Sequence, residues 1–295
     1  ENRRTMGGTA FVGRPGPRAA GPQPATSLEI TAEGLWLVQA LCAVETLPAV
    51  LVCRPFVSEC GVPESHPGYA VLHEAGVLFD GDAVHPQVKL WMETLGNPDV
   101  VLSCLIHRGG EHLRVAIARR GDVTVAAARH GENVTVESLG PGMTLAGLVQ
   151  RVLPLCGPAV APASFDAVTV PTADLLSSLA QVLRGEHSPM VALGRLGMDA
   201  NQHRIVTLAA DHPVMELSMV VVTHGSNHQM QVSKTAATVT DTSAGRVVSG
   251  PVRSESGSWW TLIAPGSDAA ILSALKSVMS TVGLADWSAT PKPGR

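Results

Sequence analysis

The sequence has few aromatic and few charged side chains. Only 3% of its 295 residues are Phe, Trp or Tyr, only 16% are Asp, Glu, Lys or Arg, and the formal net charge is −4. Proteins that bind nucleic acid usually carry a basic surface, and those that bind single strands add aromatic side chains on which bases stack. The composition therefore argues against a nucleic-acid partner.

Long apolar runs and paired cysteines are also missing. No uninterrupted apolar stretch approaches the ~18 residues of a membrane-spanning helix, and Arg3-Arg4 are followed by Gly and Pro rather than by the apolar core of a signal peptide. The five cysteines are odd in number and form no Cys-x-x-Cys pair, which indicates free thiols in a reducing compartment. These features predict a cytoplasmic protein without membrane insertion.

Motifs for catalysis and for cofactor binding are absent as well. The chain has neither the Gly-x-x-x-x-Gly-Lys-[Ser/Thr] phosphate loop nor the Gly-x-Ser-x-Gly turn that presents a nucleophilic serine. His73-Glu74 lacks a second histidine four residues further on, and most of the eleven histidines occur singly at turns or helix ends. We therefore expect no catalytic residue, no metal and no cofactor.

What the chain does have is enough apolar sequence for a large core. Its length and its 45% hydrophobic content suit one large or two modest domains. Glycine and proline are concentrated in residues 1–26, which we interpret as a disordered tail, and residues 289–295 as a shorter C-terminal tail. The remainder is expected to form one compact unit.

The compact part reads as the same order of elements twice, in residues 27–160 and 161–288. Each copy starts with a short strand and a helix, at Leu28 and at Val168, and continues with a second helix, four consecutive strands and a closing amphipathic helix; Thr31 is the predicted N-cap of the first helix. The four strands are predicted over residues 100–106, 113–118, 123–128 and 134–136 in the first copy and over residues 214–223, 230–240, 246–249 and 258–263 in the second. We infer an internal duplication with an insertion at residues 44–80 of the first copy. Coincidence is the alternative, since such an order of elements is common.

The predicted fold class is therefore α+β. Two four-strand meanders form one mostly antiparallel sheet about a pseudo-twofold axis, with helical bundles against it. The strand over residues 214–223 is apolar on one side and partly apolar on the other. Either helices bury both faces, or one face stays open for a protein partner, as exposed apolar patches often do.

Residues 239–271 carry two turns, two strands and a helix start, but no group suited to catalysis. Asp241 to Gly245 form a turn in which Gly245 supplies the positive φ, and Ser267 or Asp268 caps the following helix. We interpret this segment as a recognition surface.

This segment resembles the EspG family, the chaperones of mycobacterial type VII (ESX) secretion. The similarity lies in Asp241 to Val247 (DTSAGRV), then a tryptophan strand, then Ala264 to Ser267 (APGS). Further matches upstream are Gly34-Leu35-Trp36, Arg54-Pro55, His66-Pro67-Gly68, Gly96-Asn97-Pro98-Asp99 and Ala118-Arg119-Arg120-Gly121. The resemblance spans about residues 28–288.

The resemblance implies a function that the residues alone do not indicate. EspG proteins are not enzymes. They bind PE–PPE heterodimers in the cytosol at the hydrophobic tip of the PPE subunit, which keeps the dimers soluble and directs them to their ESX machine. The family fold is a central, mainly antiparallel sheet with helical bundles. The partner docks against the sheet and the C-terminal helical region, with help from a hairpin loop.

Two sets of residues are the candidates for partner contact. On the sheet they are Met215, Leu217, Met219, Trp259, Trp260 and Ile263, and on the loops they are Arg108, Glu111, His112, His224 and His228. The free protein is also a candidate for self-association through this surface. The alternative function is a cofactor-free hydrolase or a small-ligand-binding protein that uses the sheet cleft, which requires a deep pocket with converging polar groups.

Overall fold

A computed structural model describes residues 26–57, 66–79, 82–225 and 229–290. The strands are β1 (Ser27–Thr31), β2 (Leu78–Phe79), β3 (Ala83–Val84), β4 (Val100–Arg108), β5 (Glu111–Arg120), β6 (Val123–His130), β7 (Asn133–Ser138), β8 (Val168–Pro171), β9 (Met215–His224), β10 (Met230–Val232), β11 (Ala237–Thr242), β12 (Gly245–Arg253) and β13 (Trp259–Pro265). The helices are α1 (Ala32–Leu41), α2 (Gly68–Glu74), α3 (Pro86–Gly96), α4 (Leu145–Val152), α5 (Thr172–Leu183), α6 (Pro189–Gly194), α7 (Ala200–Asp211) and α8 (Asp268–Thr281). Most of the two predicted tails lies outside the described residues.

Eleven strands form one sheet in the order β1-β7-β6-β5-β4-β9-β11-β12-β13-β8, with β10 paired to β9 beside β11. Every pair of neighbouring strands is antiparallel. The predicted α+β class with a central antiparallel sheet is confirmed. The insertion in the first half adds α2 and the small β2–β3 hairpin.

The two halves of the sheet have matching strand orders on either side of β4 and β9. Helices α3 and α7 end at Asn97 and His212, whose φ and ψ are −132° and 58° in one and −132° and 55° in the other. These residues are 115 positions apart, and so are Cys104 and Met219, which pair directly across β4 and β9. The pseudo-twofold axis therefore passes through the Cys104–Met219 pair.

The predicted strand over residues 230–240 is interrupted. Val232 pairs with Val222 but Ala237 pairs with Met219, so the outer strand has two more residues than β9 in this interval. Such an extra segment is a β-bulge, and it would leave backbone groups of β9 without ladder partners. Ser233 supplies them: its backbone N–H donates to the Val221 carbonyl at 2.8 Å, and its Oγ accepts from the Val221 N–H at 3.1 Å.

We expect Ser233→Ala to lower the free energy of unfolding by about 1–3 kcal/mol, because the buried Val221 N–H loses its only side-chain acceptor. Urea denaturation followed by circular dichroism measures the change. Ser256→Ala, at an exposed serine of the β12–β13 turn, is the matched control and should leave the midpoint unchanged. Equal midpoints for both variants would contradict the role assigned to Ser233.

The helices cover the two faces of the sheet differently. Helices α4 and α8 lie together over the middle of one face, which we call the closed face, and bury the largest core cluster there. On the opposite face, helices α1 to α3 pack on the first half and α5 to α7 on the second half, each over its own core cluster. Because these two bundles sit toward the ends of the sheet, the strands at its centre are less covered on this face, which we call the open face.

Helix starts follow the sequence signals. The Oγ1 of Thr31 accepts from the Gly34 N–H at 3.1 Å at the start of α1, and Ser267 caps α8 in the same way. Asp199 and Gln202 form a full capping box at the start of α7. These caps set where each bundle begins relative to its strand.

Candidate functional site

In the middle of the open face, helices α1 to α3 and α5 to α7 pack on the flanking strands rather than on β4, β9 and β10, and only the 3₁₀ turn at Ala49–Leu51 contacts β4 among the described elements on this face. Along β9 the side chains alternate strictly: Met215, Leu217, Met219 and Val221 are buried on the closed face, whereas the intervening residues are half-buried on the open face. We define the central strip as the open-face residues of β4, β9 and β10. Its members are Ser103, Leu105, His107, Glu216, Ser218, Val220, Val222, His224, Met230 and Val232; Val101 of β4 faces the same side but is buried in the core cluster of helices α1 to α3.

Apolar atoms make up much of the central strip. Leu105, Val220 and Val222 are half-buried on the floor of the strip, and Met230 and Val232 are 63% and 47% exposed at one end. Contiguous exposed apolar side chains on a sheet face are typical of protein interaction surfaces. The methionine adds a side chain that adapts its shape to a partner.

Three of the predicted sheet residues lie on the opposite face. Met215, Leu217 and Met219 are 1%, 0% and 1% exposed in the core cluster beneath α4 and α8. Their placement corrects the prediction, since side chains buried under the protein's own helices are not available to a partner. Period-2 alternation identified the two sets of residues correctly but could not tell which set the helices cover.

The predicted residues of β13 are distant from the central strip, because β11 and β12 lie between β13 and β9. Ile263 is buried in the core cluster of helices α5 to α7, so it too is removed from the candidate surface. Trp259 and Trp260 are half-buried on opposite faces of the strand, and the Arg253 guanidinium lies 6.0 Å from the Trp259 ring centre. The tryptophans form a separate surface near the second edge of the sheet.

The predicted loop residues in the described part of the chain lie near the two ends of β4 and β9, but Arg108 is on the closed-face side, where its guanidinium donates to the Cys156 carbonyl at 3.5 Å. Arg108 and Glu111 pair across the β4–β5 hairpin, and the exposed His112 ring stacks on His107 with centroids 4.6 Å apart. Glu111 also contacts His130 at 3.2 Å. At the opposite end of β9, His224 is half-buried, and this burial lowers the pKa of its imidazole. His228 lies outside the described residues.

Within residues 239–271, the predicted recognition surface, the turn at Asp241 to Gly245 has a structural role, and Asp241, Thr242 and Arg246 are buried. Gly245 has the predicted positive φ, at 112°. The Arg246 guanidinium, however, donates to both carboxylate oxygens of Asp241, at 2.6 and 2.9 Å, and both side chains are under 10% exposed. The backbone of Arg246 bonds to Ala161 and Ala163 in the connection between the halves. This placement corrects the prediction, because the motif stabilises the fold instead of facing a partner. We call the Asp241–Arg246 ion pair, together with the backbone contacts of Arg246, the lock.

Sequence reasoning missed an apolar patch on the second bundle. Leu176 and Leu183 of α5, and Met190 and Val191 of α6, are exposed. The sequence contains a signal for this patch. The five Leu and Val side chains of α5 cover a wider arc of the helix surface than a single buried stripe requires, and Leu176 and Leu183, seven residues apart, lie at the edge of that arc. Helices α5 and α6 pack together with α7, and α7 packs on β11 next to the central strip.

The four cysteines in the described part of the chain are partly or fully buried free thiols. Burial raises the pKa of the Cys42 thiol to about 12 and that of Cys156 to about 11, which suppresses the thiolate. The described residues contain no group of three or more His, Cys, Asp or Glu side chains placed to hold a metal. Among the same residues, no helix has the length and apolar character to cross a membrane.

A cavity of about 800 Å³ opens beside β1 between α1 and α2 and has a mostly apolar lining. Its ionisable lining residues are Glu29, which is exposed on β1, and the contacting pair Glu33 and His66. Glu33 Oε1 contacts Arg54 at 2.7 Å and His66 Nε2 at 3.1 Å, so the pair is engaged. The other ring nitrogen of His66 accepts from the Gly68 N–H at 3.1 Å. These groups are therefore engaged in holding α1 and α2 together.

Comparison with known proteins relates the chain to a set of secretion proteins. The chain is 27% identical over 290 residues to the ESX-5 secretion-associated protein EspG5 of Mycobacterium marinum, covering 89% of this chain and 96% of the relative. It is 30% identical over 236 residues to the ESX-2 secretion-associated protein EspG2 of Mycobacterium tuberculosis, covering 75% of this chain and 83% of the relative.

The fold is also similar to a solved structure, that of the M. tuberculosis type VII secretion system chaperone EspG5 in complex with a PE25–PPE41 dimer. The TM-score is 0.80 at 24% identity, and the match covers 90% of this chain and all of the other. The EspG family model itself matches residues 31–277, which include both halves of the sheet and nearly all of the helices described above. The chain therefore belongs to the EspG family.

Proposed function

We propose that this protein is a non-catalytic chaperone that binds a PE–PPE heterodimer of a type VII secretion system through the central strip, with the apolar patch on α5 and α6 as a second contact. The single observation that carries the proposal is the partly exposed apolar strip at the centre of a sheet face whose two ends are covered by helices. The solved EspG5 complex with a PE25–PPE41 dimer supports this choice of partner.

The binding mechanism follows from the chemistry of the strip. When Leu105, Val220 and Val222 cover an apolar tip of the partner, apolar surface of both proteins is removed from water. This burial stabilises the complex by about 25 cal/mol per Å² of apolar area, before the costs of association are subtracted. Since the masked partner no longer exposes the surface through which it would self-associate, binding holds it soluble by mass action. No step in this function requires a reactive side chain.

The alternative function, a hydrolase or a small-ligand-binding protein, would use the cavity between α1, α2 and β1 as its binding site. Its lining is mostly apolar, and Glu33 and His66 are already engaged in contacts that hold α1 and α2. Hydrolysis needs a nucleophile and a base that can approach a substrate. These contacts favour the chaperone proposal over the hydrolase.

Co-expression with candidate PE–PPE pairs tests the proposal. We expect one pair to co-elute with the protein as a 1:1:1 complex in size-exclusion chromatography. We also expect Val220→Asp to abolish co-elution, with at least a hundredfold loss of affinity, because it places a charge in the middle of the buried contact.

Val71→Asp is the matched control. Val71 is 63% exposed on α2, outside the central strip, so its substitution should leave the complex intact. Circular dichroism of both variants verifies that they are folded. Failure of every pair to co-elute, or equal binding by wild type and a folded Val220→Asp variant, would refute the proposed interface.

A further inference from the structure

The centre of the strip repeats the pseudo-twofold symmetry of the fold. Ser103 and Ser218 are 115 positions apart, as are Leu105 and Val220, and the register pairs Ser103 with Val220 and Leu105 with Ser218. These four side chains form a rectangle around the axis, with the serines on one diagonal and the apolar residues on the other. A partner that met only this rectangle would find two nearly equivalent orientations.

The ends of the strip break that symmetry. At one end His107 pairs across the ladder with Glu216, and His112 stacks on His107. At the other end Val222 pairs with Val101 on the floor, and Val232 and Met230 of β10 extend the apolar surface. In the first half the start of β5 takes the place of β10, with His112 opposite His107, so one end is polar and carries the Glu216 carboxylate, whereas the other, which ends at the half-buried His224, is mainly apolar.

We infer that these unlike ends fix the direction in which the partner lies on the strip, with its most apolar exposed segment over Val222, Val232 and Met230 and a polar segment over His107 and Glu216. The inference rests on the proposed function. The reversed orientation would bury the Glu216 carboxylate beneath apolar atoms, and burying an uncompensated charge is costly. Glu216 therefore acts as a specificity residue by penalising the wrong orientation rather than by attracting the right one.

Photo-cross-linking from the two ends tests the direction. A benzophenone amino acid is placed at Val232 or at His107, both exposed, in complex with a PE–PPE pair that co-elutes with the wild type. Peptide mapping should identify the most apolar exposed segment of the partner from position 232 and a polar segment from position 107. The reverse pattern, or the same partner segment from both positions, would overturn the inference while leaving the proposed function intact.

Affinities of matched strip variants give a second readout. Val222→Glu should weaken binding at least tenfold, because it gives the apolar end a carboxylate, whereas Glu216→Val should weaken it clearly less than Val222→Glu does, because it removes a charge instead of burying one. The Glu216→Val complex should also yield cross-links from both ends to the apolar segment, since its strip no longer distinguishes the orientations. Equal losses in the two single variants would overturn the orienting role of Glu216. Failure of all pairs to bind the wild type would overturn the proposed function together with this inference.

Discussion

Asp241→Asn should lower the free energy of unfolding by about 3–5 kcal/mol, the cost of leaving one partner of a buried ion pair without its countercharge. The substitution keeps the shape of the side chain but removes the charge that faces the Arg246 guanidinium at 2.6 and 2.9 Å. The hydrogen bond to Asp241 raises the pKa of Arg246 in the wild type. In the variant the arginine still stays charged, because a guanidinium is not deprotonated in proteins, and it becomes an uncompensated buried cation.

The lock has consequences beyond the pair itself. The Arg246 backbone holds Ala161 and Ala163, and the Gly266 N–H donates to the Arg246 carbonyl at 2.8 Å. The connection between the halves and the start of α8 thus meet at this one residue. We expect limited proteolysis of Asp241→Asn to cut first within residues 157–167, because that connection loses its anchor on β12.

Two controls separate the buried pair from ion pairs in general. Glu186→Gln breaks the exposed contact of Glu186 with Arg184 and should leave the urea midpoint unchanged, because exposed ion pairs contribute little. The double variant Asp241→Leu/Arg246→Met removes both charges and should recover most of the stability lost in Asp241→Asn. A midpoint for Asp241→Asn within error of the wild type would rule out the lock.

Trp287→Ala should cost about 3–5 kcal/mol, the range for removing a large buried aromatic side chain. Trp287 follows α8 and is 1% exposed, packed in the core cluster of the closed face. The segment that carries it is also tied down by Arg119, whose Nη2 donates to the Ala289 carbonyl at 2.6 Å. Removing the indole leaves a cavity between the end of α8 and the sheet.

Trp287→Phe is the matched variant. The indole Nε1 has no hydrogen-bond partner among the described residues, so replacing the ring by phenyl loses volume but no hydrogen bond. We expect it to cost less than half as much as Trp287→Ala when unfolding in urea is followed by circular dichroism. If the two substitutions cost the same, volume is not what Trp287 contributes.

Local signals predicted most of the individual elements. Thr31 and Ser267 cap the helices that the sequence assigns to them, and the strands of the first meander begin and end within about two residues of the predicted positions. The bulge at Ser233 escaped prediction, because an uninterrupted run of β-forming residues contains no sign of where the partner strand gains or loses register.

By itself the sequence determined the repeated order of elements, the antiparallel sheet and the sets of residues that share each face, because turns, caps and period-2 alternation act between residues close in the chain. Only the tertiary structure decided that α4 and α8 cover Met215, Leu217 and Met219 and that the side with Val220 and Val222 stays open. It alone decided that Asp241 and Arg246 meet in the interior. Both outcomes depend on packing between segments distant in sequence, which no local pattern encodes.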